Sequence, residues 1–377
     1  MTLDFLRGDA NRRWRWMLAI DAAIAAIAFL YQIFFHVPLL EYSQYLTTYH
    51  FGFARRALVG SIIAMFTDHV PIALVYILGI IIWLVTVALF IAAFRKAFGF
   101  TQKTFALFVF VIGSPFFFKN FMISLGYFDI YGCAWALVAL LIGTGPLYPL
   151  IIAAGCVVLI LMHHLHFLLY VPTIALIVAL RYGLGPNFSA GKIAYGLCLS
   201  ILLAAVFVVT ALFGRMPVPR DTYLAYVSAR ATHPINPDTA HLWYATLSQE
   251  MALTRMVFVK NALRFPVYAA LIAIHIPVAR AIAGLIAALP GRFVRLAAVA
   301  GLAGITAAYV VIFVVIFDYS RWVSNWAVCM FLCMLALKLV SPRTAVEPAP
   351  VRPDEKTNVV LGWIATVIPR VGTTIPF

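Results

Sequence analysis

Two adjacent arginines, Arg55 and Arg56, stand in the string GFARRALVG from Gly52 to Gly60, directly against an apolar run. A guanidinium presents its donors as a planar fork that matches phosphate oxygens two at a time, so the pair reads as a holder for a phosphate-bearing ligand. The competing reading is that both side chains snorkel to lipid headgroups. Groups able to move a proton or balance a charge lie close by and in four other short stretches. Glu41, Tyr45, Tyr49 and His50 precede the arginines, and Lys119 and Asp129 fall in FFFKNFMISLGYFDIYG. His163 and His166, spaced to share a helical face, fall in LMHHLHFLLYVP, and Asp318 and Arg321 in FDYSRW. The stretch 214–264 adds Arg215, Arg220, Asp221, Arg230, His233, Asp238, His241, Glu250 and Arg255. Each has a structural reading beside the chemical one. Asp318 and Arg321 at i and i+3 suit an ion pair between helix ends, and Asp129 suits a helix start favoured by the dipole. The histidines suit interfacial residues satisfied by backbone, and HHLH lacks the neighbouring carboxylate that would strengthen a metal site. Asp21, inside an apolar stretch, reads as the partner of a charge on a neighbouring helix.

The elements that must position these residues are membrane helices. A chain that is 64% hydrophobic and 11% charged, with mean hydropathy +1.01, is excluded from the water-soluble globular class. Apolar stretches that suit a ~30 Å hydrocarbon core occur at about 17–36, 71–94, 104–118, 129–145, 147–162, 165–180, 193–213, 265–288, 296–317 and 321–340. The run LVGSIIAMF at 58–66 is too short to cross and reads as a re-entrant or interfacial helix. The expected fold is all-α, a polytopic transmembrane bundle of about ten spans with a long outer loop. Residues 1–341 form the helical domain with outer loops 37–70 and 214–264, and 342–377 a cytoplasmic tail.

Arg7, Arg12, Arg13 and Arg15 precede the first span and put the N-terminus inside. Alternating spans then leave Arg95, Lys96, Lys103, Arg181, Lys192, Arg292, Arg295 and the tail cations inside as well. The net charge of +14 splits as roughly +11 inside and +3 outside. The high pI therefore reports topology and anionic lipid rather than nucleic acid. The first apolar stretch is long and lacks a small-residue cleavage site, so it is expected to remain as a span. Cys133, Cys156, Cys198, Cys329 and Cys333 all fall within expected spans and read as packing residues. The Pro-rich stretch SPRTAVEPAPVRPDEK reads as a disordered inner linker, and VVLGWIATVIPR as a short amphipathic segment on the inner surface.

GFARRALVG after the first span, GYFDIYG opening a middle span, HHLHFLLYVP one hairpin later and DYSRW before the last span resemble a group of bacterial multi-span proteins of surface-polysaccharide assembly. That group is similar to GT-C-type glycosyltransferases and O-antigen polymerases. The resemblance implies a sugar carried on a polyprenyl phosphate or diphosphate, a glycan or lipid acceptor, and an active site at the outer boundary of the bacterial inner membrane. It implies Arg55, Arg56 and Arg321 as phosphate holders, with Lys119 beside them, and one of Glu41, Asp129 or His163 as the base. Tyr49, His166 and Asp318 take supporting places. GT-C enzymes commonly carry two acidic residues in the first outer loop, whereas Glu41 has no adjacent carboxylate, which favours metal-free, arginine-assisted chemistry with no cofactor. Independently of any family, displacing a lipid (di)phosphate from an anomeric carbon needs cations for the departing anion and a base for the acceptor hydroxyl. A transporter or flippase for phospho-lipid-linked glycans, and a non-catalytic cell-envelope assembly partner, are the competing readings. A carrier is expected to hold its site near the midplane, between related halves.

Overall fold

The computed structural model describes residues 11–184, 189–341 and 355–369. The Pro-rich linker read from the sequence lies outside the described residues. Among the described residues nineteen α-helices follow one another. They begin with α1 Arg12–Phe35, α2 Leu39–Leu46, α3 Leu58–Ala64 and α4 Ala73–Phe98. Next come α5 Gln102–Ile112, α6 Phe118–Ile123, α7 Asp129–Leu141, α8 Tyr148–Met162, α9 His166–Leu169 and α10 Val171–Val178. Then follow α11 Ala190–Phe213, α12 Arg220–Arg230, α13 His241–Tyr244, α14 Leu247–Ala262 and α15 Phe265–Ala273. The last are α16 Ile276–Ala287, α17 Arg292–Val315, α18 Tyr319–Val340 and α19 Lys356–Val367.

Five of these, α1, α4, α11, α17 and α18, are long and apolar enough to cross a membrane, and a sixth span results if α14 and α15, bent by 70°, count as one. The chain is thus a helical membrane protein, as its composition requires. The other expected spans fall on shorter apolar helices, and proline explains three of them. Pro115 follows the end of α5, Pro172 opens α10, and Pro277 opens α16. Each lacks the N–H that an uninterrupted helix would donate one turn back, so apolar runs that look continuous are broken.

α18 is the centre of the bundle. It buries 72% of its most apolar window, against 11–22% for the other four long helices, and packs on α4, α7, α10, α16 and α17. Small residues on it, among them Ser324, Ala327, Cys329, Cys333 and Ala336, let those neighbours approach from several sides. The five cysteines are free, and all but Cys198 are buried.

A second consequence of the broken helices concerns Lys119. It lies just after the α5–α6 break, fully buried, with its ammonium 3.0 Å from Asp21 on α1. It donates to the carbonyls of Gly113 (2.8 Å), Ala365 (3.0 Å) and Thr366 (2.9 Å). The last two belong to the end of α19, which packs against α1 and α5 instead of lying on a surface. Across the same break Ser114 hydrogen-bonds His275, at 2.9 Å, where α15 gives way to α16. Asp21 therefore has the partner helix expected of it. Lys119, expected among the phosphate holders, has all three of its ammonium protons committed to carbonyls.

Candidate functional site

The helix ends that the sequence analysis placed on one side are joined by a folded cap. The stretch 214–264, read as a long outer loop, is mostly helical, and its first part is docked. Val70 and Ala231 form a bridge, with the Val70 amide donating to Arg230 at 2.8 Å. Ser43 pairs with Thr239 (2.7 Å), Thr47 with Tyr223 (2.8 Å) and Thr48 with Tyr226 (2.7 Å). Beneath these bonds Tyr42, Tyr45, Leu46, Phe128, Met162, Tyr223 and Trp243 share one buried cluster. Gly60 is needed where α3 meets α2, since a Cβ there would lie 2.0 Å from the Thr47 carbonyl oxygen. Met65 and Phe66 at the end of α3 are exposed, as suits an interfacial helix. Docking makes a direct prediction. A Ser43→Cys/Thr239→Cys protein, prepared with its five native cysteines replaced, is expected to close a disulfide on mild oxidation. Proteolysis between the two positions followed by non-reducing electrophoresis checks this, and two separated fragments would mean an undocked cap.

The cap fixes the arginine pair through the backbone. The Arg55 amide donates to the Gly214 carbonyl (2.7 Å), and Trp243 Nε1 donates to the Arg55 carbonyl (2.8 Å). Arg56 has φ +62°, the one positive value at a non-glycine residue among the described residues, a conformation that costs on the order of 1–3 kcal/mol. Arg55 Nη2 donates to Ala245 (2.9 Å). The buried Nε atoms of both arginines have no hydrogen-bond partner, and neither has a carboxylate within ion-pairing distance among the described residues. Burial pushes the Arg55 guanidinium below its ordinary range against the pull of Glu250. Burial, then the charges of Arg55 and Arg321, does the same to Arg56. A guanidinium stays charged at neutral pH, so an anion brought to the pair would be favoured there.

Arg321 is differently placed. Its Nε and Nη2 meet Asp129 as a two-pronged fork at 2.5 and 2.8 Å, Nη1 reaches Asp318 at 3.4 Å, and the cation lies over the rings of Tyr127 and Trp322. Asn325 donates to the same Asp129 oxygen (2.9 Å) and accepts from Tyr170 (2.6 Å). Arg321 and Asp129, expected as a phosphate holder and a candidate base, thus saturate each other. The i, i+3 contact with Asp318 is the weaker of the two.

Glu41 sits buried on α2 against Gly126, which has φ +95°, and beside Tyr127. A side chain at Gly126 would press on Val75 as well as on the Glu41 stem. Burial raises the Glu41 carboxyl from 4.5 to about 7, resisted by its backbone hydrogen bond, the Arg321 charge and Tyr127. His163 and His166 do not share a helical face, because the chain leaves α8 at His163 and starts α9 at His166. His166 donates Nε2–H to the Phe128 carbonyl (3.1 Å), next to Asp129. His163 and His164 stack, with unpartnered Nδ1 atoms, and burial followed by the Arg56 charge pushes both well below the ordinary imidazole range. Tyr49 stacks on Phe53 in the turn before the arginines.

Arg56 is thus within electrostatic reach of Arg55, Arg321, Asp129, His163, His164 and His166, while Lys119 faces Asp21 and the end of α19. Sequence reasoning passed over Asn325, Tyr127, Tyr170 and Trp243. Asn325 had a signal: it lies one turn beyond Arg321 on an otherwise apolar helix. Among the described residues no group of three His, Cys, Asp or Glu side chains is arranged to hold a metal ion. No known family, curated protein or solved structure matches the chain.

Proposed function

We propose that this protein is a membrane glycosyltransferase or polysaccharide polymerase that moves a sugar or glycan from a polyprenyl phosphate or diphosphate carrier, at the outer face of a bacterial inner membrane. The observation that carries this is the Arg55–Arg56 pair, fixed by the cap with no carboxylate within ion-pairing distance among the described residues, in the field of the same Arg321 that acts on the buried Glu41 carboxyl, whose proton affinity is raised to about 7. The arginines take the phosphate and stabilise the charge that grows on it as the anomeric bond breaks. Glu41 takes the acceptor proton, its affinity matched to neutral pH. Asp129 is held as an anion by Arg321 and Asn325, and the neutral His163 has too little proton affinity for the task, so both are positioning residues in this reading. Arg321, gripped by Asp129, holds Tyr127 beside Glu41.

The test is transfer from a polyprenyl-diphosphate-linked sugar by purified protein. Arg56→Lys and Arg56→Ala are both expected to reduce transfer, by about 30-fold or more if a desolvated contact worth ~2–5 kcal/mol is lost. Full transfer by a folded Arg55→Ala/Arg56→Ala protein would end the reading.

One observation favours a carrier for phospho-lipid-linked glycans as the second reading. Two interrupted helices, α5–α6 and α15–α16, meet at Ser114 and His275 beside Lys119 and Asp21, and discontinuous helices around buried polar groups are a feature of transporter sites. Lipid translocation in vesicles without any turnover of donor would select it.

A further inference from the structure

A groove of about 500 Å3 lies on the side of α18 away from Asp129, between the α14–α15 elbow and α17. Its volume is in the range of small-ligand pockets, ~300–1,000 Å3. Tyr319 and Val323, one turn apart, form its wall on α18, whereas Arg321 and Asn325 point to α7. The groove is almost wholly apolar, and its lips at Phe258, Ile272, Val310 and Val314 are exposed. Met256 and Val259 on α14 and Leu263 just after it are exposed as well, so the elbow presents an apolar surface around the groove that suits hydrocarbon. It is preformed: Thr254 on α14 donates to the Val315 carbonyl at 2.8 Å, fastening the elbow to the end of α17.

Two polar groups set the chemistry of its occupant. Arg255 lines the groove, is exposed, and has no carboxylate within ion-pairing distance among the described residues. Tyr319 is 3% exposed, boxed by Phe265 and Phe313, and its hydroxyl has no partner among the described residues. A buried hydroxyl left without a partner is destabilising, and a hydrocarbon alone would not relieve it. An acceptor oxygen at the head of a chain would.

We propose that this groove is a binding site for one hydrocarbon chain of an anionic lipid, with its phosphate on Arg255 and a head-group oxygen accepting from Tyr319, separate from the Arg55–Arg56 site. The site does not depend on the transferase reading. Purified full-length protein is titrated with oleoyl lysophosphatidate and with monoolein, which has the same chain and an uncharged head, and binding is counted by native mass spectrometry. The native protein is expected to bind one lysophosphatidate saturably and at least tenfold more tightly than monoolein. Arg255→Ala should abolish that preference, Tyr319→Phe should weaken lysophosphatidate several-fold, and Ala269→Trp, which fills the groove from an exposed position, should remove both ligands. Arg56→Ala should leave the binding that Arg255→Ala abolishes in place. Equal binding of the two lipids, or indifference to both Arg255→Ala and Tyr319→Phe, overturns the proposal. Loss of lysophosphatidate in Arg56→Ala with retention in Arg255→Ala also overturns it and assigns the lipid to the arginine pair.

Discussion

Glu41→Gln protein is expected to lose turnover by about 10²–10⁴-fold and yet to be the more stable protein in alkaline buffer. Both effects have one cause. The carboxyl is buried, so its proton affinity rises from 4.5 to about 7 in the folded chain. The folded state then holds this proton more tightly than the unfolded state, and stability from this group is complete below pH ~4.5 and lost as pH climbs through ~7. Above that range the native protein keeps an ionised carboxylate in a dry place, at about 3 kcal/mol. A glutamine of the same shape has no such penalty. Thermal unfolding in detergent should therefore separate native and Glu41→Gln protein at pH 8 and bring them together near pH 4.5. Transfer by the native protein should rise with pH through about 7 and level off, since the base acts in its ionised form. Unchanged turnover in the variant removes Glu41 from the chemistry, and curves that stay parallel at both pH values remove the buried-carboxyl argument with it.

Asp129→Ala is expected to be the most destabilising single change in the site, by about 3–5 kcal/mol. Arg321 is only 13% exposed and is gripped by Asp129 from two nitrogens, so deletion of the acid leaves a largely buried cation with only the weaker contact to Asp318. Removing both charges should be gentler than removing one. Asp129→Leu/Arg321→Met protein is expected to recover much of the lost melting temperature while remaining inactive, because Tyr127 and the start of α7 lose their anchor. A double variant no more stable than Asp129→Ala would show that the pair is not what makes the single change costly.

The helical membrane class was legible from composition alone, and so was the pairing of Asp21, because a lone carboxylate in an apolar helix has few alternatives. Helix continuity was not. Pro115, Pro172 and Pro277 were present in the sequence, but an apolar window averages over a proline, and only backbone geometry shows that the run breaks there. Of the two partners of Arg321, only the nearer in sequence was legible, for a related reason. Asp318, three residues away, is visible in the sequence, whereas Asp129 is 192 residues distant and no spacing rule reaches it. Lys119 was placed with the phosphate holders because it shares a short stretch with Asp129. Its ligands come from the C-terminal helix, which reads as a surface segment until the carbonyls of Ala365 and Thr366 are seen around it.

The central position of α18 has a bearing on how the chain is made. The most enclosed helix of the bundle is the last of the long ones to leave the ribosome, and Asp129 waits for Arg321 through 192 residues of further synthesis. At about 5–20 residues per second that is on the order of 10–40 s. During this interval α4, α7 and α10 lack the helix they pack on in the finished protein, and Asp129 lacks its cation. Biogenesis of this protein is therefore expected to keep that acid hydrated until α18 is delivered.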